Sequence, residues 1–186
     1  MKILSYHFLM MSLMFSLGMF CACSNDDDLP DIDSPTALYA VIKPEGAQLI
    51  DIIPSDYVMT LDNIVAVNPE TGEFKMKDTE RIDSKAYPTP TQYVIMFFSE
   101  DKFLFEATLN SSLSSMLSTG VTFCQFLSDK NGLARYDLSV TRIMDSDGSI
   151  DGEPSEEQLQ GIQRMYKILQ KAGKTSTSIT YDFLFK

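Results

Sequence analysis

The chain has 186 residues, 26 acidic against 15 basic side chains, a formal net charge of −11 and 44% apolar residues, enough for one domain with its own core. Its acidity argues against nucleic acid as a partner, because phosphates call for a basic footprint. The single histidine is His7, so residues 23–186 hold no Ser-His-Asp triad, no Cys-His pair and no histidine-ligated zinc.

The N-terminus reads as an export signal. Lys2 gives a positive start, and residues 8–20 form a thirteen-residue apolar run broken only by Ser12, Ser16 and Gly18. A spanning helix needs roughly 20 apolar residues to cross about 30 Å of hydrocarbon. A shorter run at the extreme N-terminus fits a cleaved signal peptide over residues 1–22. Phe20-Cys21-Ala22-Cys23 resembles a loose lipobox, in which a small residue precedes the acylated cysteine. Cys23 follows Ala22 whereas Cys21 follows the bulky Phe20, so Cys23 is the expected lipidation site and takes a palmitate-type anchor. Ser24, Asn25, Asp26, Asp27 and Asp28 come next. A Cys-Ser start followed by an acidic run is similar to the export signal of Bacteroidetes surface lipoproteins. That resemblance implies an outer-membrane lipoprotein on the cell surface; the alternative is a periplasm-facing anchor, with the acidic run as a solvated spacer. Residues 23–35, with Pro30 and Pro35, read as an acidic tether. Residues 23–186 carry 14 basic and 26 acidic groups, since Lys2 is the one charged residue before them.

Residues 36–186 read as one globular domain. Residues 37–42 form a first strand; residues 46–53 are ambiguous between strand and short helix, ended by Pro54. Residues 64–67 and 73–77 flank Asn68-Pro69-Glu70-Thr71-Gly72, a hairpin connector in which Gly72 can take positive φ. Phe74 and Met76 then face the core, and Glu73, Lys75 and Lys77 face solvent. Residues 78–91, with Pro88 and Pro90, make a polar loop.

Residues 93–98 are six consecutive apolar residues, so both faces of that strand are expected to be covered. After Ser99-Glu100-Asp101-Lys102 the chain returns over 103–109, with Phe103, Phe105, Ala107 and Leu109 on one face. Glu100 and Asp101 read as solvated turn residues rather than an acid–base pair. Residues 121–127 and 133–143 form a hairpin through Asn131-Gly132, and Cys124 within it reads as a buried, inert thiol. Phe97, Phe98, Phe103, Phe105, Phe123 and Phe126 read as core packing rather than a ligand pocket.

Residues 145–153, Asp145-Ser146-Asp147-Gly148-Ser149-Ile150-Asp151-Gly152-Glu153, resemble a calcium loop. Asp145, Asp147, Ser149, Asp151 and Glu156 are its candidate Ca²⁺ ligands, since hard cations take several oxygens. The glycine stands at the fourth position rather than the EF-hand's sixth, and only a strand precedes the loop. The competing reading is an acidic turn beside a positive helix end, with no cofactor.

Residues 155–172 carry the clearest helical signal. Ser155 and Gln158 make a capping-box pattern, and Leu159, Ile162, Met165, Tyr166, Ile168, Leu169 and Ala172 form one apolar stripe, with Gly173 as C′ residue. Residues 178–185 alternate as a final strand. Together these elements predict an α+β fold: a mostly antiparallel sheet of hairpins with one long C-terminal amphipathic helix packed on it. The alternative is a β-sandwich or small barrel capped by the helix.

Asn68-Pro69-Glu70-Thr71-Gly72-Glu73, Asp101-Lys102-Phe103-Leu104-Phe105-Glu106-Ala107 and the Gly161–Gly173 stretch with Lys171-Ala172-Gly173-Lys174 resemble a pattern in uncharacterised Bacteroidetes lipoproteins, a likeness that implies location and no activity. The expectation is a lipid-anchored cell-envelope protein: a non-enzymatic binding or accessory module, held to the membrane by its lipid and taking a glycan, a peptide or a partner protein. Residues 78–91 and 145–153, the longest polar connections, are its expected binding loops. The alternatives are a structural or adhesin-type assembly component and a carboxylate-dependent hydrolase.

Overall fold

The computed structural model describes residues 29–47, 52–82, 87, 92–112, 119–128, 131–144 and 150–181. Their strands are β1 (Tyr39–Pro44), β2 (Met59–Thr60), β3 (Ile64–Asn68), β4 (Glu73–Met76), β5 (Tyr93–Ser99), β6 (Lys102–Ser111), β7 (Gly120–Ser128), β8 (Ala134–Thr141), β9 (Ile143–Met144) and β10 (Ile150–Asp151). One long helix follows among the described residues, α1 (Glu156–Lys171).

Eight strands form one sheet in the order β2-β1-β5-β6-β7-β8-β4-β3. β2 and β3 stand at opposite ends of that order, yet only the 3-10 turn Leu61–Asn63 separates them in the chain. The sheet must therefore curl until its two edges meet. Asn63 fastens the turn to both edges: its side-chain oxygen accepts from the Thr60 N–H of β2 at 2.7 Å, and its side-chain nitrogen reaches the Lys77 and Asp78 carbonyls just past β4, the partner of β3. The α+β fold with one helix on a largely antiparallel sheet is as expected, and the sheet is close to a closed barrel. Among the described strands β6 and β7 alone pair in parallel, over Thr108–Ser111 of β6 and Thr122–Gln125 of β7.

The inside is filled by aromatic rings. Phe97 stacks on Phe105 at 4.6 Å, Phe123 stacks on Tyr136 at 5.0 Å, and Phe123 meets both Phe74 and Phe97 edge-on at 5.6 Å. β4 alternates as expected, with Phe74 and Met76 buried. β5 is covered on both faces: Ile95 and Phe97 belong to the inner core, while Val94, Met96 and Phe98 join Tyr39 and Val41 in a second cluster outside. The six-residue apolar run is thus explained by two cores sharing one strand.

Several expectations are corrected. Phe103 does not share a face with Phe105. The β5–β6 register shifts between Phe97 and Phe98, because Leu104 is an extra residue on β6. This bulge turns Phe103 outward, where it is 48% exposed. Phe126 is also outside, under the Arg135 guanidinium at 4.9 Å. Cys124 is half-buried on the outer face opposite Asp137, not in the core; burial, then the Asp137 charge, pushes its thiol up. Residues 178–181 form no strand. Instead Lys174 and Ser176 bond Val67 of the edge strand β3, and the Tyr181 hydroxyl donates to the Phe74 carbonyl. Finally, Leu29 and Ile32, in the expected tether, lie against the core, and Pro30 is buried.

α1 begins as expected. The Gln158 N–H donates to Ser155 Oγ at 3.1 Å, and the Ser155 N–H donates to Gln158 Oε1 at 3.0 Å. It ends in a Schellman pair, Gly173 N–H to the Gln170 carbonyl and Lys174 N–H to the Leu169 carbonyl, with Gly173 at φ +67°. The buried face is Gly161, Met165, Ile168 and Leu169. Leu159, expected in the apolar stripe, is 42% exposed, because the helix turns its glycine rather than that leucine toward the sheet.

Candidate functional site

The β6–β7 ladder covers only Thr108–Ser111 of β6. The first half of β6 therefore has β5 on one side and no strand of that ladder on the other. Its backbone still needs partners there. α1 fills that side. A Cβ on Gly161 would lie 2.0 Å from the Leu104 carbonyl oxygen, so helix and strand backbones touch at this point. Three residues earlier, the Gln158 side-chain amide donates to the Glu106 carbonyl at 3.4 Å. One side chain thus serves both the helix cap and the strand edge.

Because the contact is made by a glycine, the helix and strand leave a groove along their outer border, of about 370 Å³. Phe103 and Leu104 form its strand wall. Gln158, Gln160, Glu157 and Arg164 form its helix wall around Gly161. Phe103 is braced from behind: it meets Phe98 edge-on at 5.5 Å, Phe98 stacks on Tyr39 at 5.3 Å, and Tyr39 stacks on Tyr57 at 4.1 Å. The row holds the exposed ring in place against the buried outer cluster. Tyr39 is pushed up to about 12, by burial first and then by Tyr57, so its hydroxyl stays protonated. The groove offers an aromatic face, amides and a guanidinium, the mixture of apolar and orienting polar groups that binding sites use.

A second cluster lies on the outer face of β4 and β8. Arg135 grips Asp137 with two bonds, Nε to Oδ1 at 3.0 Å and an Nη to Oδ2 at 2.9 Å, and sits 3.9 Å from Glu73. The Asp137 bond is the first cause of the raised Arg135 pKa. Lys75 stands 5.2 Å from the Tyr181 ring and donates to the Thr180 carbonyl. These charges are spent on each other and on the C-terminal segment, so this cluster reads as a clasp.

Of the residues expected to act, Cys23, Ser24, Asn25, Asp26, Asp27 and Asp28 lie outside the described residues, as do Asp145, Asp147 and Ser149. Asp151 and Glu156 are described, and neither belongs to a group of three acidic, histidine or cysteine side chains that could hold a metal, among the described residues. Asp151 Oδ1 accepts from the Gly152 N–H, and Glu156 Oε1 accepts from Gln160. Residues 145–149 connect β9 to β10. Of residues 78–91, only 78–82 and 87 are described. There Ile82 is fully buried and its carbonyl accepts from the Tyr136 hydroxyl at 3.3 Å, so the first, described part of that loop is pinned to the core.

The groove was not legible in advance. Its signals were a bulge and a glycine contact, and neither follows from periodicity. The chain matches no family model, no curated protein and no solved structure.

Proposed function

We propose that this is a lipid-anchored cell-envelope protein whose folded domain is a non-enzymatic binding module. Cys23 carries the lipid, the acidic residues 24–28 direct or space the domain, and the groove between β6 and α1 takes the ligand. The observation that carries the reading is the braced, half-exposed Phe103 beside the amides of a fixed helix. A ring held at 48% exposure on a bulge is apolar surface kept in water at a cost of about 25 cal/mol per Å², and it gains by covering. The other reactive side chains offer little chemistry by comparison. Cys124 is half-buried with its thiol pushed up, and Arg135 is held by Asp137.

The test uses the full chain in its native membrane. Envelopes carrying the protein are incubated with a defined mixture of oligosaccharides and peptides, and the supernatant is followed for depletion and for new products. Depletion of a component without products is expected. Products that vanish on changing one carboxylate would favour the hydrolase instead.

A further inference from the structure

The geometry points to a neutral oligosaccharide as the ligand of the β6–α1 groove, with Phe103 as its stacking platform; this rests on the binding-module reading above. Three observations select that chemistry. The first is the platform. A sugar ring presents a face of C–H groups that packs on an aromatic ring, and Phe103 offers such a ring fixed by Phe98 at 5.5 Å. Its hydroxyl groups need donors and acceptors at the rim, and Gln160, Glu157 and Arg164 supply amide, carboxylate and guanidinium groups along one wall.

The second is the state of the backbone. A peptide that bound as an added strand would need the open edge of β6. That edge is already taken: Gly161 lies against the Leu104 carbonyl, and Gln158 donates to that of Glu106. The groove therefore recognises its ligand by side chains and not by a backbone ladder. The third is charge. Glu157 and Arg164 line the groove with charges that offset one another, Glu156 precedes it on α1, and the whole chain carries −11. The lining thus offers an anionic chain no net positive charge to pair with, and the acidic body around it repels one, which selects neutral over anionic chains.

The experiment is equilibrium binding by the full-length lipidated chain in detergent. The probes are cellohexaose, xylohexaose, mannohexaose and maltohexaose, with hexagalacturonate as the anionic comparison and a random hexapeptide pool as the peptide comparison. At least one neutral hexasaccharide is expected to bind, and more tightly than hexagalacturonate. Phe103→Ala should weaken that binding by about tenfold or more, as loss of an aromatic anchor does. Phe103→Tyr should restore most of it, and Gln160→Ala should weaken it without moving the melting temperature. Both positions are exposed, so the variants fold. Equal binding by wild type and Phe103→Ala overturns the site. Preference for hexagalacturonate overturns the neutral ligand. Capture of peptides with no saccharide overturns this inference but leaves the binding module standing, and binding of no probe overturns both.

Discussion

Gly161 decides how the helix meets the sheet. Helix propensity alone favours Gly161→Ala by about 1 kcal/mol. The structure predicts the opposite sign, because the new Cβ would stand 2.0 Å from the Leu104 carbonyl oxygen. The helix would have to back away, and overpacking of this kind costs about 1–3 kcal/mol. Chemical denaturation of the single variant reads the sign directly; a stabilised Gly161→Ala would mean that the backbones do not touch. Two neighbours sit on firmer, more ordinary ground. Leu169 is fully buried, so Leu169→Ala should cost about 2–5 kcal/mol, and Ser155→Ala should cost about 1 kcal/mol through its lost cap. Both of those roles could be read from the stripe and the capping box. The glycine's role could not: a helical glycine in a sequence looks like a weakness until the carbonyl opposite it is seen.

At the scale of elements, periodicity did most of the work. The β3–β4 and β7–β8 hairpins, the two-faced β5 strand and the helix all follow from residue patterns with a period of two or 3.6. It failed at irregularities. The extra residue Leu104 moves Phe103 to the other face of β6, and one inserted residue reverses every alternation before it. The alternation of residues 178–185 suggests a strand, yet the described part is held by single hydrogen bonds, from Lys75 to the Thr180 carbonyl and from the Tyr181 hydroxyl, rather than by a ladder. Alternation states which side chains could share a face, not whether an edge is free to receive them. Tyr181→Phe removes the donor to the Phe74 carbonyl and should cost about 0.5–1.5 kcal/mol. Hydrogen exchange should then quicken first at Val67 and Ser176, where the segment meets β3; a uniform change over the whole chain would contradict a local clasp.

For the whole molecule, closure follows from three residues, since Leu61–Asn63 joins the first and last strands of the sheet order. No residue pattern announces that the strands on either side of this short turn stand at opposite ends of the sheet order, which is why the pattern leaves a barrel as the alternative. The nearly closed, aromatic-filled domain also has an alkaline limit. Burial pushes the Tyr39 and Tyr166 hydroxyls up to about 12. In the unfolded chain they ionise near 10. Their contribution to stability is therefore complete below pH 10 and is lost as pH rises from about 10 to about 12. Tyrosine absorbance titrated on the native chain should lag behind that of the denatured chain, with the late fraction appearing as the protein unfolds; coincident titrations would mean that these rings are solvated. The groove, rather than the polar loops at 78–91 and 145–153, is the proposed place where the domain meets a ligand. Hydrogen exchange on the full chain, with and without the hexasaccharide it binds best, tests that most directly. Slowed exchange confined to the first half of β6 and the first turns of α1 is the predicted result. Protection at the β9–β10 connection or around Ile82, with β6 and α1 unchanged, would contradict it.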